Sequence, residues 1–424
     1  MRSGLSGLTI RGRAFLAAGI SAIVCAIVLG ESSLVRIGGL VVALPLMSAY
    51  VIGKARYRFA LVRTISPQII EAGQPARVEL QLTNEGRAPT GVLLLEEHLP
   101  YVLGNRPRFV LEGIARGWRR HVAYQVRSDI RGRYEIGPMT VRVNDPFGLV
   151  ELGRSFHTSV PLIVTPRTVP LPPIPLNGAL TGSGDNRPRA FAIGSAEDVM
   201  VRDYRQGDDL RRVHWRSSAR VGELMVRREE QPWQSRATLF IDNRAVAHRG
   251  HGVASSLEAA VSAAASVALH LSQRGFAVRL VTAHGEDPST VWHDRASSTN
   301  TTPLLESLAV LESTNQARIN TSWMAESSRS GLTVAVLGAV TEKDQAALRR
   351  MQLHAASALA IALDVARWES PSTASAHREP SWLSSQGWRS AALGPRDSLA
   401  TVWQELGRSG ASLSVAQVHG QVSG

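Results

Sequence analysis

Residues 237–283 read ATLFIDNRAVAHRGHGVASSLEAAVSAAASVALHLSQRGFAVRLVTA. The run 237–242 is apolar and of strand length. Residues 255–275 carry apolar residues at helical spacing. They begin at Ser255 with Glu258 three residues on, a capping-box spacing, and stop at Gly275. Residues 276–283 are again a strand-length apolar run. The alternation continues: a helix over 302–312, a strand over 332–340, a helix from a Thr341 cap, a strand over 357–365 and a helix over 395–406 closed by Gly407. Strands alternating with helices predict a doubly wound, mostly parallel sheet. The α/β domain is placed at 236–424. Its Ser/Pro-rich stretch 367–394, with Trp368, Trp382 and Trp388, reads as an irregular insertion packed over the sheet.

Upstream the period changes to two. RVELQL (77–82), GVLLLEEHL (91–99), RRHVAYQVR (119–127), MTVRVN (139–144) and VPLIVTP (160–166) are separated by Gly, Pro and Asn turns. Short alternating runs at such spacing predict an antiparallel β-sandwich over 57–166. Asp145-Pro146-Phe147-Gly148 reads as a turn, with Phe147 plugging the sandwich edge as the first reading and a binding role for the turn as the second. Residues 167–190 are rich in Pro and Gly and read as an extended connector. Gly182-Ser183-Gly184 lacks the Lys and Ser/Thr of a phosphate-binding loop.

At the N-terminus, residues 14–29 and 37–52 carry no charge and approach the ~20 residues that cross a hydrocarbon core. Arg2, Arg11 and Arg13 precede the first run, and Lys54, Arg56, Arg58 and Arg63 follow the second. Positive flanks face the cytoplasm. Residues 1–56 therefore read as a transmembrane hairpin with basic flanks, tight between 30 and 36, and both termini inside. A cleaved signal peptide is the competing reading; no small-residue cleavage site follows the first run.

The net charge of +12 is carried almost wholly by Arg. The arginines are spread among acidic residues, without the basic block or stacking aromatics of a nucleic-acid module, so no nucleic acid is expected. The single cysteine, Cys25, lies in the first apolar run. That excludes disulfides within the chain, Cys-based zinc sites and a Cys nucleophile in the remainder.

One segment, 191–235, fits neither domain. Its stretch 203–228, DYRQGDDLRRVHWRSSARVGELMVRR, crowds carboxylates and guanidinium groups beside a His and a Trp. The residues that stand out are Asp203, Tyr204, Gly207, Asp208, Asp209, Arg211, Arg212, His214, Trp215 and Arg220. Arg matches a carboxylate with a planar fork of donors. A structural ion-pair network is the first reading for Asp208, Asp209, Arg211 and Arg212, a docking surface the second. Catalysis, with His214 as a base, comes last because no nucleophile or partner group is visible. Trp215 reads as a core anchor and 224–226 as a buried strand.

The pattern Y-x-x-G-D-D-x-R-x-V-x-W-x-x-x-A-R, from Tyr204 to Arg220, resembles domain-of-unknown-function family 58. A second match is RGRYEIGPMTVRVNDPFGLVELGR, 131–154, and a third is the N-terminal hairpin. The resemblance implies a bacterial plasma-membrane protein with a von Willebrand factor A-like domain, often encoded beside a MoxR-type AAA+ ATPase. Metal-binding domains of that type carry D-x-S-x-S after the first strand, whose oxygens hold Mg²⁺. Here the place reads Asp242-Asn243-Arg244-Ala245-Val246, which keeps the Asp and loses both Ser. Asp242 is thus expected to mark a degenerate metal site, with no cofactor. His248 and His251 read as a surface loop. The expected function is a non-enzymatic, membrane-anchored, cytoplasm-facing adaptor or chaperone-like assembly factor, with the ATPase and the lipid bilayer as partners. The alternatives are a structural scaffold for envelope or secretion proteins, and a hydrolase using Asp208 and His214.

Overall fold

The structure, a computed structural model, describes residues 7–54, 59–86, 92–112, 117–145, 147–176, 201–203, 213, 215–227, 235–286, 301–326, 330–369 and 381–408. The chain divides into two compact units, 1–168 with 305–311, and the remainder.

The first unit opens on two apolar helices, α1 (Ile10–Leu29) and α2 (Ser32–Lys54), each long and apolar enough to cross a membrane. Thr9 caps α1, its Oγ1 accepting from the Gly12 amide at 3.2 Å. Gly30 ends the helix with φ 71°, a left-handed conformation that costs glycine little. The turn is shorter than its composition implies, because residues 32–36 join α2. Gly19 and Gly38 sit where the helices meet. A Cβ on Gly19 would lie 2.7 Å from Val42 Cγ2 and 3.0 Å from the Gly38 carbonyl oxygen. Small residues at such a crossing let two backbones approach closely.

Ten strands follow: β1 (Phe59–Ser66), β2 (Ile69–Glu71), β3 (Pro75–Asn84), β4 (Leu93–Glu97), β5 (Arg108–Leu111), β6 (Arg119–Arg127), β7 (Gly132–Ile136), β8 (Met139–Asn144), β9 (Glu151–Phe156) and β10 (Val160–Thr165). They form sheets ordered β1-β3-β6, β2-β10-β7 and β5-β4-β8-β9. All pairs are antiparallel except β10 with β2. The period of two works as expected. In β3, Ala76, Val78, Leu80 and Leu82 are buried and the residues between them are not. They share one core with Leu93, Leu95, Ile136, Met139, Val141, Leu162 and Val164. Five strands, β1, β2, β5, β7 and β9, escape the sequence pattern. They are short, lie at sheet edges or mix exposures, as β9 does with half-buried ends and an exposed middle.

Two expectations change here. Arg63 is no membrane flank. Its side chain is 2% exposed and its Nη2 meets Glu97 Oε1 at 2.5 Å, with Glu97 fully enclosed. Nη1 donates to the Thr158 carbonyl at 2.6 Å. Burial raises the Glu97 pKa, and the pull of Arg63 only partly offsets it. Phe147 does not plug the edge; it is 60% exposed. The apolar residues of that loop that are buried are Leu149 and Val150, which pack on Ala49 and Ile52 of α2.

The second unit contains β11 (Val201–Asp203), α3 (Trp215–Val221), β12 (Met225–Arg227), β13 (Ser235–Ile241), α4 (Ser256–Gln273), β14 (Phe276–Thr282), β15 (Gly285–Glu286), α5 (Thr302–Ala309, continuing into the first unit), α6 (Trp323–Glu326), β16 (Ser330–Leu337), α7 (Gln345–His354), β17 (Ala355–Leu363), α8 (Ala366–Glu369), α9 (Ser381–Ser385) and β18 (Arg389–Leu393). Its main sheet is ordered β15-β14-β13-β16-β17-β18, five parallel strands with β15 antiparallel at one edge. Ser255 caps α4 as its spacing predicts, accepting from the Glu258 amide at 3.3 Å.

The described end of the stretch 367–394 is not an irregular insertion over the sheet. That end is β18, pairing in parallel with β17, and Trp388 is buried in the core. RSAAL is too short and too poor in β-branched residues to stand out. The start of the predicted connector is also fixed. The Val169 amide donates to Ser266 Oγ at 3.0 Å, Trp403 Nε1 donates to the Pro172 carbonyl at 3.1 Å, and Ile174 is buried.

Candidate functional site

In a parallel sheet, ligands bind beyond the carboxyl ends of the strands, where the strand order reverses. Here the order reverses at β13, which has β14 on one side and β16 on the other. Asp242 follows β13 directly and is fully buried. Both its oxygens are occupied. Arg244 Nε donates to Oδ1 and Nη2 to Oδ2, each at 2.9 Å, a planar two-bond match. Arg244 Nη1 reaches across to Asp344 Oδ1 at 2.6 Å and to the Ala317 carbonyl at 3.2 Å. One buried guanidinium thus binds two buried carboxylates and a carbonyl. The side chain that the sequence places two residues after Asp242 occupies both of its carboxylate oxygens.

Asp344 belongs to a capping box. Its Oδ2 accepts from the Thr341 amide at 3.0 Å and from Thr341 Oγ1 at 2.9 Å. Burial pushes the Asp344 pKa up, but the hydrogen bonds from Arg244 and Thr341 prevail and hold it below the usual range. Burial likewise opposes the charge of Arg244, while the two aspartates hold its pKa above the ordinary value.

Around this triad the loops close on one another. His248 is buried, which corrects its reading as part of a surface loop. Its Nε2 lies 2.5 Å from the Asp242 carbonyl oxygen and its Nδ1 3.0 Å from Ser256 Oγ. Ser256 Oγ accepts from the Arg249 amide at 2.9 Å, so its own proton is free for Nδ1 and Nε2 donates to the carbonyl. A neutral ring fits this pattern, and burial lowers the His248 pKa accordingly. His251 is exposed. Asn243 ties in two further loops, its Nδ2 donating to the Glu312 carbonyl at 2.8 Å and its Oδ1 accepting from the Ala283 amide at 3.2 Å. Gly338, after β16, leaves no room either; a Cβ there would come 2.3 Å from the Ala247 carbonyl oxygen. Among the described residues no three His, Cys, Asp or Glu side chains gather as a metal site would require.

Sequence reasoning singled out Asp242. It missed Asp344, a hundred residues beyond Arg244, although the Thr341 cap marks its neighbourhood.

Of the motif 203–220, Asp203 ends β11 and pairs with Met225 of β12. Tyr204, Gly207, Asp208, Asp209, Arg211, Arg212 and His214 lie outside the described residues. Trp215 begins α3 and is 69% exposed, so it is no core anchor. Arg216 and Arg220 on the same helix are exposed, as are Val221 and Leu224. In the predicted buried strand Met225 is buried, while Leu224 is exposed. Ser218 joins helix to strand, its Oγ accepting from the Met225 amide at 2.8 Å.

Residues 200–367 match the family described as Protein of unknown function DUF58, which supports that family for this chain. The match takes in the 203–220 motif and the sheet from β13 to β17. No curated protein matches the chain. Similar solved structures include the CARDB domain of a Pyrococcus furiosus protein, 14% identical over 24% of this chain and 93% of that one, with a TM-score of 0.19. The putative ApaA protein of Bordetella pertussis is 12% identical over 26% and 94%, with a TM-score of 0.20. At these scores the likenesses carry no argument.

Proposed function

We propose that this protein is a membrane-anchored, cytoplasm-facing, non-enzymatic adaptor that docks a protein partner through the face carrying Trp215. The observation that carries this reading is the exposure of Trp215 on a short Arg-rich helix inside the family segment. Tryptophan and arginine are the residues that most often dominate protein–protein binding energy. Val221 and Leu224 add exposed apolar surface close by in the chain. In this reading the second unit is a von Willebrand factor A-like domain, the first a β-sandwich, and an internal guanidinium stands where metal-binding domains of that type hold their ion. Family resemblance makes a MoxR-type AAA+ ATPase the partner.

The test uses the full chain in detergent, with the MoxR-type ATPase of the same organism as prey. Trp215→Ala should leave melting unchanged and abolish capture. Unchanged capture would refute docking through this face. No capture by the wild type would refute the ATPase as partner and leave a scaffold role in its place.

A further inference from the structure

The loop between β8 and β9 meets the helical hairpin at its charged end. The Thr9 amide donates to the Leu149 carbonyl at 3.0 Å, and Thr9 Oγ1 donates to the Gly148 carbonyl at 2.7 Å. The Glu151 amide donates to the Gly7 carbonyl at 2.8 Å, and Leu8 pairs with Val150 as an antiparallel bridge. Gly12 is the point of closest approach: a Cβ there would lie 2.2 Å from the Leu149 carbonyl oxygen. Leu149 and Val150 then pack with Ala49 and Ile52, with Leu44 and Leu8 against them. The loop is therefore built onto the hairpin by backbone and apolar contacts together.

These contacts set its depth. Thr9 stands five residues before Ala14, where the uncharged run of α1 begins, about 7.5 Å at ~1.5 Å per residue. Ala49 and Ile52 lie inside the uncharged run of α2, which ends at Ile52. If the hairpin spans a bilayer, the loop stands at the boundary between acyl chains and headgroups. At that level Phe147 is 60% exposed, and its neighbour Gly148 lies beside the Arg11 guanidinium, 3.9 Å from the place a Cβ would take. Arg11 and Arg13 are exposed. An exposed apolar ring in a loop that lies beside a guanidinium matches the lipid interface, where rings insert and arginines meet phosphate. A buried core position, the usual fate of a Phe, is open to Phe147 only if lipid supplies it.

We infer that Phe147 is a membrane-interface wedge: the β8–β9 loop inserts it among lipid chains while Arg11 binds anionic headgroups, so that the hairpin and the β unit engage the bilayer as one body. The inference rests on the hairpin spanning the membrane, and the experiment separates the two. Cys25 is the chain's single cysteine and is exposed in the C-terminal half of α1, inside its uncharged run. An environment-sensitive fluorophore on Cys25, in full-length protein reconstituted into phosphatidylethanolamine/phosphatidylglycerol vesicles, reports on the span. The same fluorophore on Cys25→Ser/Phe147→Cys reports on the wedge. On Cys25→Ser/Tyr101→Cys it provides an aqueous control, since Tyr101 is 90% exposed beyond Glu97, which pairs with Met139 at the far end of β8. Position 147 should show blue-shifted emission, lost to lipids doxyl-labelled near the headgroup and insensitive to aqueous iodide. Position 101 should be quenched by iodide alone. Iodide quenching at 147 equal to that at 101, with Cys25 quenched by lipid, would overturn the wedge while the anchor stands. Protection of 147 from both quenchers would mean protein covers it and would overturn the wedge as well. Iodide quenching at Cys25 would remove the anchor and the wedge together.

Discussion

Replacing Arg244 by alanine would leave Asp242 and Asp344 facing each other inside the second unit without a counter-charge. The Arg244 side chain makes four hydrogen bonds there, three of them to carboxylate oxygens at 2.6–2.9 Å, and all three side chains are buried. Removing one partner from a buried ion pair costs about 3–5 kcal/mol, because the remaining charge keeps its desolvation penalty. For a unit of this size that is a fall of roughly 6–20 °C in melting temperature. The loss should depend on pH with a definite sign. In the wild type the Asp344 pKa is held down, so its contribution is complete above the ordinary aspartate range and fades as the pH falls through its folded value. The Arg244→Ala deficit should therefore be largest near neutrality and shrink on acidification. Millimolar Mg²⁺ should raise the melting temperature of Arg244→Ala, whose vacated carboxylates offer oxygen ligands, and should not raise that of the wild type. Differential scanning calorimetry of the full chain in detergent reads all three effects. Melting within ~2 °C of the wild type, well short of the loss expected for a broken buried pair, or a deficit unchanged with pH, would refute the guanidinium as the group that fills the site.

The hairpin topology is tested by fusing a reporter active only outside the membrane, once after Tyr57 and once between Ser32 and Ser33. The second fusion should be active and the first silent; activity after Tyr57 would refute a cytoplasmic β unit. For the buried pair in the β unit, burial raises the Glu97 pKa, so its stabilising contribution is full at low pH and is lost as the pH rises through the folded value. Wild type should lose stability relative to Glu97→Gln as the pH rises from the ordinary glutamate range towards neutrality. A relative gain over that interval, read by melting, would show that Arg63 outweighs burial.

Local pattern carried the sequence as far as its physical basis reaches. The two-residue alternation in RVELQL is what a strand with one buried face requires, and β3 buries that set. The Ser255 and Thr341 caps place helix starts because a capping side chain acts within one turn. Uncharged runs flanked by arginine name two helices fit to cross a membrane. The sequence singled out Asp242 and showed Arg244 two residues on. The rest depended on which distant segments the folded chain brings together. Arg63 looked like one more basic flank until Glu97, 34 residues on, took its charge inside. Asp344 meets Arg244 only because β16 lies beside β13. Trp215 reads as a core residue by its type, yet α3 presents it to solvent. Phe147 looked like a plug, but Leu149 and Val150 hold the loop on the hairpin and leave its ring outside. Periodicity and capping depend on neighbours within a few residues, so the sequence alone determines them. Burial, charge pairing and the contents of the strand-end site depend on non-local contacts, which only the tertiary structure decides.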